Sequence, residues 1–265
     1  METFQNNGIP SGFPALDAIT GGWQNSNLII VASRPSVGKT AFAQNIVRNA
    51  GVDYNIPVAF FSLEMSSHEF ATRMMRSEAK LNKLYFEGGR TLTEEEYAQL
   101  ESRFTGLSGA PLYIDDTSGL KLSDFHEKAK NLVDEKGVRL IVIDYLQLMC
   151  GPKELRGQRD EEVAFITRAL KSTAKELNIP IIALAQLSRI TGTNKGGRPE
   201  PSQLRESGAM EEAADSIILI HRPDFLGLSD NQEDREKCIF IVAKNKNGKL
   251  GEVSARFHSD NLSFT

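Results

Sequence analysis

Cysteine is scarce in this chain of 265 residues: Cys150 and Cys238 are the whole supply. They have no metal-type spacing, which excludes a zinc module and a disulfide framework and points to a reduced, cytoplasmic setting. An excess of positive charge is also missing. Lys and Arg number 31 against 35 Asp and Glu, a net charge of −4. A globally basic nucleic-acid coat is thereby excluded, and any contact with phosphates has to use a local patch. Long apolar runs are absent as well. The longest, such as residues 179–187, are strand-sized and far short of a membrane span, so no membrane partner is expected. The first twenty residues lack a basic segment followed by an apolar one, the pattern of a secretory leader. Neither an internal repeat nor a linker that would separate two domains occurs. Residues 1–7 read as a short disordered segment and 8–265 as one domain.

What is present is ordinary in amount and specific in order. An apolar fraction of 40% and a charged fraction of 25% allow a sizeable core. Short apolar runs alternate with amphipathic stretches, which predicts an α/β fold with a mainly parallel central sheet flanked by helices. Strands are expected near 28–33, 57–62, 111–115, 138–144, 180–186, 215–221, 238–243 and 251–257. Helices are expected over 39–50, 66–79, 94–105, 123–136, 161–177 and 207–213. Ser66 and Glu69 have the spacing of a capping box at the start of the second helix. The turn signal Asn245-Lys246-Asn247-Gly248 predicts a C-terminal antiparallel hairpin. Residues 149–160, 189–203 and 223–236 read as mobile loops.

The chemistry begins at VASRPSVGKTAF, residues 31–42. A buried strand, a short turn and a helix start form a phosphate cradle, in which loop amides and the helix N-terminus face an anion. The nucleotide-binding stretch is Ser33, Arg34, Pro35, Ser36, Val37, Gly38, Lys39, Thr40 and Ala41. Lys39 is expected to reach the β and γ phosphates, and the Thr40 hydroxyl to join Mg²⁺. Ser33 stands where the P-loop pattern asks for glycine, which is tolerable if its backbone stays at negative φ. Asp144, ending the run Leu140 to Ile143, is the expected second Mg²⁺ group. Glu64, just beyond the run 58–63, can polarise an attacking water. Gln186 ends a third strand and suits a sensor of the γ-phosphate.

These stretches, with GIPSGFPALDAITGGW (8–23), QLRESGAMEEAADSIILIHR (203–222) and VAKNKNGKLGEV (242–253), together resemble the C-terminal ATPase domain of replicative DNA helicases of the DnaB type, a RecA-like fold. In that family a small residue other than glycine before Arg-Pro-Ser is usual. The resemblance implies ATP and Mg²⁺ as cofactors and a homohexameric ring. Hydrolysis at subunit interfaces would drive 5′ to 3′ movement on single-stranded DNA, with primase and a helicase loader as partners. It places Glu64 as the catalytic base, Gln186 as sensor, and Lys244 and Lys246 as the pair reaching a neighbour's γ-phosphate. At the second of these the family usually has arginine, whose planar fork a lysine lacks. The family's channel loop falls on Arg205, Glu206, Ser207 and Gly208, with Arg156, Arg159, Lys195 and Arg198 as further basic loop candidates. No aromatic interleaves these loops, so backbone tracking is expected rather than base stacking. The family's N-terminal domain and linker helix help to hold the ring, so weak assembly is expected of this stretch alone. A RecA-like recombination or regulatory ATPase of the RadA or KaiC kind is the alternative reading. A non-hydrolysing nucleotide-binding module is a third.

Overall fold

A computed structural model describes residues 8–79, 93–187, 197–204, 208–223 and 236–265. The expected disordered segment 1–7 lies outside these residues, as do Lys195 and Arg205–Ser207 and most of the loops expected at 189–203 and 223–236.

β1 (Leu28–Ser33) is buried along its whole length, as a continuous apolar run between two layers demands. Its side chains alternate between two cores. Ile29 and Val31 face one cluster with Phe42 and Phe240, whereas Leu28, Ile30 and Ala32 face another with Phe125, Ile166 and Leu170. Parallel neighbours β5 (Ile181–Gln186) and β6 (Ser216–His221) flank it. β4 (Leu140–Asp144), β2 (Val58–Ser62) and β3 (Leu112–Asp115) continue the sheet on one side. β7 (Lys237–Asn245), β8 (Gly251–His258) and β9 (Ser263–Phe264) extend it antiparallel on the other, for the order β3-β2-β4-β5-β1-β6-β7-β8-β9. The fold class and the hairpin agree with expectation. β7 reaches two residues further than the apolar run suggested, because Lys244 and Asn245 pair with Ile217 and Ser216.

The helices are α1 (Pro14–Thr20), α2 (Lys39–Arg48), α3 (Ser67–Ala79), α4 (Glu94–Gly109), α5 (Leu122–Lys136), α6 (Arg159–Glu176) and α7 (Gly208–Ala213). The hydroxyl half of the Ser66 capping box forms, with the Glu69 amide donating to Ser66 Oγ at 3.2 Å. α1 and β9 have no counterpart in the sequence expectation, and both are fixed by aromatic packing on α2. The Phe42 ring lies 5.8 Å from Phe13, 4.8 Å from Phe240 and 6.1 Å from Phe264. One P-loop helix residue thus clamps the segment before α1, the hairpin and the last strand.

Register is what builds the site. Ser33 pairs with Gln186, and Ser62 pairs with Asp144. The carboxyl ends of β1, β5, β2 and β4 therefore come out along one edge of the sheet, where ligands of open α/β sheets bind.

Candidate active site

The loop between β1 and α2 takes its shape from two left-handed residues, Ser36 (φ 61°) and Gly38 (φ 113°). Such turns point successive amides toward one spot, and α2 starts immediately beyond with its unpaired amides adding to the field. A Cβ at Gly38 would stand 3.0 Å from Phe264 Cζ and 3.3 Å from Phe257 Cε2, so the left-handed conformation favours glycine and a methyl there would crowd both rings. Ser33 sits in the β1 ladder, buried and without positive φ, and its hydroxyl donates to the Arg34 carbonyl at 2.9 Å. The missing P-loop glycine therefore imposes no strain.

Beneath the loop the two expected Mg²⁺ groups meet: Thr40 Oγ1 donates to Asp144 Oδ2 at 2.7 Å. Asp144 is buried, and its other oxygen, Oδ1, has no hydrogen-bond partner. Burial raises the Asp144 carboxyl above its usual range, against the pull of Lys39 and the Thr40 hydroxyl. The Lys39 ammonium lies 4.4 Å from the centroid of the Tyr145 ring. Burial lowers it from the ordinary lysine range, with Asp144 and Glu64 acting to restore it. A hydroxyl and a carboxylate with one unused oxygen form a hard-oxygen donor set that fits Mg²⁺.

The loop opens into a cavity of about 570 Å³, which Glu64 and Gln186 also line. The structure thus brings Glu64, Gln186, Lys39 and Thr40 together. Six further residues line the cavity that the sequence did not single out: Gln44, Arg73, Arg222, Phe257, Ser259 and Leu262. Arg222 stacks its guanidinium 4.2 Å from the Phe257 ring centroid, so the wall facing the P-loop is aromatic and cationic. The apolar run Ile217–Ile220 ends at His221, so a strand-end reading points to His221, and Arg222 stands one residue beyond it. Nothing local marks Phe257.

Lys244 and Lys246 lie elsewhere. The Lys246 amide donates to the Asp215 carbonyl, and the Asp215 amide donates to the Leu28 carbonyl at the opposite end of β1 from Ser33. Five residues of strand separate that edge from the P-loop, roughly 16 Å at about 3.3 Å per residue. Lys244 Nζ donates to the carbonyls of Glu211 and, at 3.2 Å, Glu212 near the end of α7. Among the loop cations, Arg156 is exposed. Arg159 is engaged by Glu162 at 2.6 Å and by the Gln147 carbonyl, and Arg198 pairs with Glu252 at 2.5 Å. Gly208 begins α7. Arg205 and Glu206 lie outside the described residues.

A strand–loop–helix cradle, a hydroxyl–carboxylate pair beneath it and further polar strand ends on one edge define a RecA-like P-loop nucleotide-binding domain. Comparison makes the assignment specific: the chain belongs to the DnaB-like helicase C terminal domain family, whose model matches residues 8–265. It is 44% identical over 250 residues to replicative DNA helicase DnaB of Geobacillus stearothermophilus, and 43% identical over 251 residues to replicative DNA helicase DnaC of Bacillus subtilis. Each match covers 94% of this chain and 54% of the relative, so the chain spans about half the length of those proteins. Among solved structures, one of an ATPase domain superposes with a TM-score of 0.90 at 32% identity, covering 100% of this chain and 93% of that one. A DnaB-like replicative helicase studied with primase gives 0.88 at 33% identity, covering 98% of this chain and 62% of that one. These likenesses do not favour the RadA or KaiC reading. No helix of the described residues is long and apolar enough to cross a membrane.

Proposed function

We propose that this domain is the ATP-hydrolysing motor of a cytoplasmic replicative DNA helicase and acts on single-stranded DNA as part of a homohexameric ring. The observation that carries the reading is the Thr40–Asp144 contact beneath the P-loop. It leaves one buried carboxylate oxygen unpartnered on the edge that also holds Glu64 and Gln186.

The loop amides and the α2 N-terminus bind the phosphates, and Lys39 turns from Tyr145 toward them. Thr40 and Asp144 would hold Mg²⁺, which would neutralise the charge that builds on the phosphate oxygens. Glu64 orients and polarises the attacking water, and Gln186 reports the presence of the terminal phosphate to β5. Phe257 and Arg222 offer a flat wall to the nucleoside. Lys244 and Lys246 lie too far from their own cradle to serve it, which supports their action on a neighbour's γ-phosphate. Arg205, Glu206 and Gly208, with Arg156 and Arg159, are the proposed contacts to the DNA backbone. The primase and loader partnerships rest on family resemblance alone.

The test is ATP hydrolysis with and without single-stranded DNA, with Glu64→Gln as the blank. Stimulation by DNA that disappears in the blank is expected, and it should weaken as salt rises. A rate that ignores DNA, measured at concentrations where the protein is hexameric, refutes the motor reading and favours a regulatory ATPase. No hydrolysis at all under those conditions favours the non-hydrolysing module.

A further inference from the structure

Asp215 stands where three parts of the fold meet. It precedes β6, and its side chain is only 8% exposed. Oδ2 accepts the Leu28 amide at 2.8 Å, at the start of β1, and the ammonium of Lys171 from α6 at 2.5 Å. Lys171 also donates to the Ser26 carbonyl at 2.8 Å. The remaining oxygen, Oδ1, faces Lys246 at 3.3 Å. One buried carboxylate is thus shared between two ammonium groups, tightly on one oxygen and loosely on the other. Burial works to raise the carboxyl, but the hydrogen bonds from Lys171 and Leu28 and the two positive charges hold it below its usual range.

The two lysines are not equivalent. Lys171 is 23% exposed and bonded twice, whereas Lys246 is 45% exposed and holds its carboxylate oxygen by one long contact. For Lys246 to reach a phosphate on another chain, its ammonium has to leave Oδ1. Leaving a buried carboxylate with no cation is strongly unfavourable, and leaving one that keeps a second cation is not. Lys171 is the group that makes the departure possible.

We infer that Asp215 and Lys171 form a latch for Lys246, in which the carboxylate holds the lysine in reserve and Lys171 keeps that hold weak enough to release. The inference rests on the proposed action of Lys246 on a neighbour's γ-phosphate. Asp215 and Lys171 are positioning residues, since neither touches the nucleotide.

The latch requires the two members of one ion pair to respond with opposite signs, which a merely structural pair cannot do. The assay is DNA-stimulated ATP hydrolysis with kcat and KM separated, on chains whose melting lies above the assay temperature. Lys171→Met should tighten the hold and lower kcat about tenfold, the effect of one charge-assisted contact, with KM unchanged. Asp215→Asn keeps an acceptor for the Leu28 amide and releases Lys246, so kcat should stand at or above the wild type. The double variant should behave like Asp215→Asn. A fall in kcat with Asp215→Asn overturns the latch, as does a double variant no faster than Lys171→Met. Should Lys171→Met fail to fold, Asp215→Asn still decides. Lys246→Ala separates the two levels: if it leaves kcat unchanged, the trans-acting reading falls and takes the latch with it.

Discussion

Replacing Gly38 by alanine tests the geometry of the phosphate cradle directly. The residue has φ 113° and ψ 21°, outside the regions an L side chain prefers. Holding alanine there costs about 1–3 kcal/mol. The new methyl would stand 3.0 Å from Phe264 Cζ, and crowding of that kind adds about 1 kcal/mol even if the ring yields. A total of about 2–4 kcal/mol has two ways to appear. If the loop keeps its shape, the fold bears the strain, and for a chain of 265 residues the melting point drops by about 4–7 °C. If the loop relaxes instead, its amides diverge and nucleotide affinity falls by about 30-fold to 1,000-fold. Thermal unfolding and binding of a fluorescent ATP analogue, measured on the same preparation, capture both routes. Gly109→Ala is the control, because its Cβ would meet nothing within 4 Å and it ends α4. That change should be neutral or stabilise by up to about 1 kcal/mol. Native melting together with native affinity in Gly38→Ala would refute the claim that the cradle depends on a left-handed glycine.

Glu64→Gln should lower ATP turnover by about 10²–10⁴-fold while binding titrations show nucleotide affinity kept within a few-fold. Lys246→Arg should raise kcat in assembled protein, since a guanidinium fork engages two oxygens, and Lys246→Ala should lower it; steady-state rates at saturating ATP decide. His221 is held below its ordinary pKa of 6.5 by burial and by the nearby Arg198 and Arg34 charges. The unfolded chain therefore binds a proton first as pH falls below about 6.5, and stability is lost in that window. Urea midpoints at pH 7.5 and 5.5 should differ less in His221→Gln than in the wild type.

Much of this arrangement could be read before any coordinates were known, because its logic is local. A buried strand declares itself by an unbroken apolar run, and the polar residue that ends the run marks the rim of the site. Asp144, Glu64 and Gln186 all follow from that rule, whereas the run Ile217–Ile220 ends at His221 and the rule passes over Arg222. Phe257 could not have been found this way. It alternates with exposed neighbours in β8 and reaches the P-loop only because β9 folds back beside α2. α1 has no side-chain cap at Phe13, and its start is marked by Pro14 at the first helical position, but its seven residues are too few to show a helical period. The Asp215 cluster joins residues 26, 28, 171, 215 and 246, and no spacing rule links positions so far apart. Lys246 could be picked out as a functional candidate, but not the carboxylate that holds it.

The P-loop and the two hairpin lysines occupy opposite edges of one sheet. On the proposed action of Lys246 in trans, each subunit is a giver at one edge and a receiver at the other, and a site that needs both is completed only by head-to-tail contact. Contacts of that type close into rings or run on as filaments, and they have a direction. The genetic corollary is that lesion and symptom part company. Under that proposal a subunit that loses Lys246 keeps a sound cradle and silences the one beside it, and a chain without Lys246 and a chain without Glu64 should repair each other wherever they meet in the right order.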